Sequence, residues 1–168
     1  MRKIVIGVMG PGDKASGVDL TNAYELGQLI AQHGWVLLTG GRNVGVMDAA
    51  SKGAKAANGL TIGILPTPDT SSLSDAVDIA IATDMGNARN NINVLTSDAI
   101  VACGMGAGTA SEIALALKSH KKVILLNQNK ESQVFFKNLS PDSIFIADSP
   151  ELAIEIISEI ILGRSSWA

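Results

Sequence analysis

The fold this sequence predicts is a three-layer α/β/α sandwich around a seven-stranded, mostly parallel sheet, and three observations predict it. Short runs rich in valine and isoleucine alternate with longer amphipathic stretches along the whole chain. Two runs, Ile4-Val5-Ile6 and Val123-Ile124-Leu125-Leu126, are apolar without a break, as strands covered on both faces are. Strands that each lead into a helix pair in parallel through right-handed crossovers.

Taken in order, the first strand spans residues 3–9. Met1, Arg2 and Lys3 before an apolar run suggest a signal peptide, but the run is short and meets Gly10, Pro11, Gly12, Asp13 and Lys14 with no cleavage-like site. The helix that follows carries Leu20, Ala23, Tyr24, Gly27, Ile30 and Ala31 at three- and four-residue spacing, a stripe that faces the sheet. Strands at 35–39 and 60–65 enclose a helix through Asp48, Ala49, Ala50 and Ala54. Residues 66–75, with two prolines and several hydroxyl residues, form the longest loop, a lid or a rim. Strands at 77–82 and 99–103 flank a helix with Arg89 and Asn90 in its early turns. The next helix runs through Ile113, Ala114, Leu115 and Leu117, and strands at 122–127 and 143–147 complete the sheet. The last helix has Ser149 as N-cap, Pro150 at its first position, a ridge of Leu152, Ile156 and Ile160, and a stop at Gly163. One domain is expected over residues 1–163, with 164–168 a tail outside it, of the kind an expression vector leaves.

Composition narrows the function. The chain has 168 residues and 17.4 kDa, a size that buries roughly 70% of the unfolded surface. Hydrophobic residues make up 46% and charged residues 17%, which excludes a disordered or supercharged chain. The net charge is -3, and the 13 lysines and arginines are scattered singly, so no nucleic-acid footprint is expected. No apolar stretch reaches the roughly 18 residues of a membrane helix. The single cysteine, Cys103, excludes an intramolecular disulfide framework and a cysteine-based zinc site, and fits a reducing cytoplasm.

In an open parallel sheet the ligand crevice lies beyond the carboxyl ends of the strands. The first strand ends in Gly10, Pro11, Gly12 and then Ala15, a formal match to a dinucleotide loop. The second strand ends in Thr39, Gly40, Gly41 and Arg42, without the acidic residue that holds ribose hydroxyls. Arg42 leaves an NADP reading open, beside a plain glycine turn. From Gly40 through Arg42, Asn43 and Gly45 the chain opens a helix whose free N–H groups and arginine fork make an anion site, or a tight turn with Arg42 solvated. The fifth strand leads through Gly104, Met105, Gly106 and Gly108 to Thr109 and Glu112, a second anion cradle. There the T-x-x-E spacing also suits a capping box. Arg89 either reaches the same crevice or lies on a helix surface. His33 and His120 sit at helix ends without partners, and Cys103 reads as a small buried residue.

These loops carry a resemblance. The segments Gly40 to Met47, Met85 to Asn90 and Gly106 to Glu112 resemble the Rossmann-like superfamily that includes the cytokinin-activating LOG phosphoribohydrolases, also labelled lysine decarboxylases. The resemblance runs over nearly the whole chain. LOG enzymes carry P-G-G-x-G-T-x-x-E and an Arg-Lys pair. Here the first becomes Gly104-Met105-Gly106-Ala107-Gly108-Thr109-Ala110-Ser111-Glu112, and the second becomes Arg89-Asn90. The combination of Ile64-Leu65-Pro66, Asp84 to Asn90 and Ser111 to Lys118 is similar to the sister branch of molybdenum cofactor carrier proteins, which tend to have glycine where Met105 stands.

The resemblance implies a protein that binds and carries the molybdenum cofactor, or a related anionic pterin or nucleotide, without a protein-ligated metal. It places binding at Gly10, Pro11, Gly12, Gly40, Gly41, Arg42, Asn43, Gly45, Arg89, Asn90, Gly104, Met105, Gly106, Gly108, Thr109 and Glu112. It further implies a homo-oligomer with molybdoenzymes or cofactor-synthesis proteins as partners, and no catalytic residue. The alternative is a LOG-type nucleoside 5′-monophosphate phosphoribohydrolase. In it Arg89 would hold the nucleotide, and Glu112 would bind the ribose or stabilise oxocarbenium-like charge as the N-glycosidic bond breaks. A nucleotide-sensing module would share the same site.

Overall fold

A computed structural model describes residues 2–163; the tail expected at 164–168 lies outside the described residues. Seven strands form one sheet: β1 (Val5–Met9), β2 (Val36–Thr39), β3 (Thr61–Leu65), β4 (Ile79–Ala82), β5 (Ala99–Cys103), β6 (Val123–Leu126) and β7 (Ile144–Ala147). Their order is β4-β3-β2-β1-β5-β6-β7, and all six pairings are parallel. The winding reverses between β1 and β5, so the turns that follow these two strands diverge and leave a crevice at the carboxyl edge.

Helices cover both faces. α1 (Gly17–Gln32), α2 (Gly45–Ala56) and α6 (Pro150–Ile161) pack on one side around Ile6, Leu26, Leu37, Val46 and Ile157. α3 (Asn90–Thr96), α4 (Ala107–Lys118) and α5 (Lys130–Leu139) pack on the other around Leu38, Ile64, Val94, Ile113 and Phe136. A 3₁₀ turn, Gly86–Arg89, leads directly into α3. Among the described residues no helix is long and apolar enough to cross a membrane.

The stripe expected on α1 is rotated. Leu20 and Tyr24 are 37% and 40% exposed, whereas Leu26 is fully buried with Ala23, Gly27 and Ile30. The cause is α2, which lies so close that a Cβ on Gly27 would collide with the Ala50 carbonyl and one on Gly53 with the Tyr24 carbonyl. α6 forms as expected: the Ser149 hydroxyl accepts from the Leu152 N–H at 3.2 Å, and Gly163 adopts a φ of 65°. β4 begins two residues later than residues 77–82 suggest, because Val77 closes a turn by donating its N–H to the Ser74 carbonyl at 3.1 Å.

The loop at 66–75 is a rim tied to the start of α2. Asn43 donates its N–H to the Ser72 carbonyl at 2.8 Å, and Ser74 donates its N–H to the Gly41 carbonyl at 2.9 Å. The Ser74 hydroxyl donates to Asp48 at 2.7 Å, and Arg42 and Leu73 form an isolated antiparallel bridge. Arg42 therefore leaves the sheet on a braced backbone.

Candidate functional site

Three strand ends meet at the crevice. After β1, the Pro11 carbonyl accepts from the Val46 N–H at 3.0 Å, which fastens the first loop to the first turn of α2. After β2, Thr39 Oγ1 accepts from the Gly41 N–H at 3.0 Å, and Gly41 holds a φ of 76° that turns the chain towards Arg42. After β5, Gly104 turns the chain at a φ of 75°, and Gln128 Nε2 donates to the Ala102 carbonyl at 3.0 Å and to the Gly104 carbonyl at 2.6 Å. The turn opens into α4 at Gly106, where no side chain caps the helix. An uncapped helix start presents unpaired N–H groups and a partial positive charge.

These turns enclose a cavity of about 420 Å³, within the range of small-molecule sites. Arg42, Arg89 and Lys14 bring positive charge to it, and Gly106 to Thr109 bring the start of α4. Arg89 is only 8% exposed, its Nε has no hydrogen-bond partner, and burial together with Arg42 holds its pKa below the ordinary arginine value. Thr109 Oγ1, 2% exposed, also has no partner. Buried polar groups are ordinarily paired, so these two donors make the cavity suited to an anion with further oxygen atoms. Glu112, 6% exposed, accepts from Asn93 Nδ2 at 2.9 Å, and burial pushes its carboxyl up to about 7. Among the described residues no cluster of three or more histidine, cysteine, aspartate or glutamate side chains could hold a metal.

Of the residues singled out from the sequence, Gly10, Pro11, Gly12, Gly40, Arg42, Arg89, Asn90, Gly106, Gly108, Thr109 and Glu112 line this one cavity. The other five stand behind it. Gly41 packs on Gly63, Gly45 on the backbone of Pro11 and Gly12, and Gly104 on the Asp19 carboxylate. Met105 packs against the core beneath α4, and Asn43 lines the groove between α1 and α2.

Two of the competing readings are corrected. Arg89 is not a surface helix arginine, because the 3₁₀ turn folds it inward beneath Gly40. Glu112 is not half of a capping box, because the N-cap of α4 is Gly106 and the carboxylate pairs with Asn93 instead. Sequence reasoning passed over Met47, Asn87, Asp13 and Lys14 at the lining, and Asn93 and Gln128 behind it. Lys14 and Asn87 lie inside the glycine segments already singled out; Asn93 and Gln128 act across the fold and leave no local spacing. His33 and His120 are exposed at helix ends, and burial pushes the Cys103 thiol up to about 12.

The profile of the SLOG cluster4 family matches residues 3–154. The chain belongs to the SLOG cluster4 family. This SLOG cluster4 fold is similar to the molybdenum cofactor binding protein from the phototrophic bacterium Rippkaea orientalis, with a TM-score of 0.95 and 66% identity over 96% of this chain and 99% of that one. It is similar to the molybdenum cofactor carrier protein of Chlamydomonas reinhardtii, with a TM-score of 0.92 and 52% identity over the same shares. In sequence it is also 35% identical over 111 residues to the cytokinin riboside 5′-monophosphate phosphoribohydrolase of Mycobacterium tuberculosis. That match covers 62% of this chain and 59% of the enzyme, less than two thirds of the enzyme's length.

Proposed function

We propose that this protein binds and carries the molybdenum cofactor, held by its phosphate end in the cavity between β1, β2 and β5. The observation that carries the reading is Arg89, buried beside the cavity with its Nε unpartnered, in a chain 66% identical to a protein named for binding this cofactor. The residues present fit the group. Arg42, Arg89 and the uncapped start of α4 would take the phosphate without a globally basic chain. Met9, Met47 and Pro11 give the remaining wall an apolar surface against which a pterin ring can lie. The test is protection of the isolated cofactor from oxidative loss. Protection that saturates at equimolar protein is expected, and none at protein excess overturns the reading.

The hydrolase reading keeps one observation in its favour, the placement of Arg89 and Glu112 on one cavity. Against it stands Asn90, whose Nδ2 donates to the Ser111 hydroxyl at 3.1 Å and supplies no charge where LOG enzymes have lysine. Incubation with AMP or a cytokinin riboside monophosphate should release no free base. Turnover abolished by Glu112→Gln would reverse the order of the two readings.

In this reading residues 1–163 act as one ligand-binding unit, and the assembly is a homo-oligomer. The carrier works in a reducing cytoplasm and delivers to molybdoenzymes or cofactor-synthesis proteins. The single cysteine, buried and unpaired, supports that compartment.

A further inference from the structure

The side-chain amide of Asn90 is fixed in one orientation. Its Nδ2 donates to the Ser111 hydroxyl at 3.1 Å, and that hydroxyl gives its own proton to the Gly108 carbonyl at 2.8 Å. A hydroxyl whose proton is already engaged can only accept, so the nitrogen side of the amide is the side that meets Ser111. Ser111 is exposed and lies outside the wall of the anion cavity, whereas Asn90, only 9% exposed, is part of that wall. Oδ1 is therefore the polar atom that Asn90 turns to the cavity. Among the described residues nothing donates to it, and it is not one of the sealed unpartnered atoms, so it opens onto the cavity space. Buried polar groups are ordinarily paired, which leaves this acceptor to a ligand.

The groups around Oδ1 mostly offer protons. Arg42, Arg89 and Lys14 line the same cavity, with the N–H groups that precede the first bond of α4, Ala110 to Gly106, while the Glu112 carboxylate already accepts from Asn93 Nδ2. These donors take the anionic end of a ligand, and Oδ1 takes a neutral N–H close to that end. Asn90 follows Arg89 directly in sequence and reaches Gly108, at the start of α4, through Ser111 alone. In a pterin whose phosphate arm extends from the pyrazine side, the nitrogens nearest the arm are those of the pyrazine ring. They carry hydrogen in the reduced ring and are bare acceptors in the oxidised, aromatic one. We propose that Asn90, oriented by Ser111, makes the cavity selective for a reduced pterin over its oxidised form by accepting a hydrogen bond from a ring N–H. The proposal rests on the carrier reading above and adds the oxidation state of the ring. A bare nitrogen in that place faces Oδ1 lone pair to lone pair, and a site built to bond a donor rejects the analogue that lacks it.

The probe is a pterin with a phosphate monoester on its side chain, titrated calorimetrically into the whole protein in the absence of oxygen, in its tetrahydro and its fully oxidised forms. The reduced form binds about tenfold to a hundredfold more tightly. Asn90→Leu brings the two forms within about threefold of each other and leaves inorganic phosphate, which has no ring to read, within about twofold of the parent. Ser111→Ala, at an exposed position, tests the orientation from outside the cavity wall. Freed of its anchor, the amide turns Nδ2 inward and donates to the bare nitrogens, so the oxidised form gains and the preference narrows by at least about threefold. Where Asn90→Leu loses phosphate binding as well, Ser111→Ala alone decides. Equal binding of the two forms by the unaltered protein, or a preference that either variant leaves at full size, overturns the proposal. Cofactor protection alongside equal binding overturns the selectivity alone. Loss of protection with the preference intact overturns the carrier reading alone, and binding of neither form overturns both.

Discussion

Gly40 makes the space in which Arg89 lies: a Cβ at Gly40 would stand 2.6 Å from Nη1 and 2.8 Å from Nη2 of that arginine. Two turns far apart in sequence are thus fitted to each other at the floor of the cavity. The atoms in the way are the free ends of flexible side chains, Arg89 and Met47, so a larger residue displaces the guanidinium and leaves the backbone in place. Gly40→Ala should weaken ligand binding as far as Arg89→Ala does, by about 1.5–3 kcal/mol or one to two decades. Titrations of both variants with the same ligand check this, and a Gly40→Ala variant that binds normally would refute the placement of Arg89.

The arginines should separate binding from folding. Burial and the neighbouring charge of Arg42 both hold the Arg89 pKa down, which means that the empty protein pays an electrostatic penalty for keeping them together. Arg42→Ala and Arg89→Ala are expected to leave the thermal midpoint unchanged or raised by a few degrees, on a scale of about 2–4 °C per kcal/mol for a chain of this size. Ligand affinity in both should fall by about one to two decades. Thermal melts paired with titrations decide it.

Glu112 sets a pH dependence of stability whose sign is opposite to that of an ion-paired carboxylate. Its folded value, about 7, lies above the ordinary 4.5, so the folded chain binds more protons than the unfolded one between these values. The contribution is therefore fully present below about pH 4.5 and is lost as pH rises through 7, by about 3 kcal/mol at most. Glu112→Gln should flatten this part of the profile and melt higher than the parent at pH 8. Denaturant unfolding at pH 5 and pH 8 reads the difference.

Gln128 is a structural residue of the β5 turn. Its Nε2 serves the Ala102 and Gly104 carbonyls from a buried position, and a buried acceptor left without its donor costs about 1–3 kcal/mol. Gln128→Ala should destabilise the fold by that amount or slightly more, and should blunt binding through the loosened start of α4. Denaturation curves with and without ligand separate the two effects.

The layer order was legible because each strand and helix has its own periodicity. The apolar runs around Ile6, Ile100 and Ile124 are buried on both faces, and the punctuation of α6 by Ser149, Pro150 and Gly163 is local chemistry. The glycine turns were legible for the same reason. Less so was the α1 stripe, because Gly27 and Gly53 draw α2 in and rotate the buried face away from Leu20 and Tyr24. The partners of Glu112 were hidden altogether: T-x-x-E spacing is shared by a cap and by a carboxylate that reaches Asn93 on another helix, and only the fold tells them apart. Gln128 acts across a strand end for the same reason and has no motif of its own.

Cys103 ends β5 with no exposed surface, and its thiol is held near 12. A thiol held that high and without exposed surface stays almost wholly protonated at pH 8, so it is expected to react slowly with alkylating and maleimide reagents. Because it is also the only cysteine in the chain, any cysteine introduced at an exposed position becomes a unique attachment point without first removing a native one. Thr70→Cys, exposed on the rim loop whose Leu73 bridges Arg42, would carry a fluorophore alone and report occupancy of the cavity in an otherwise unaltered protein.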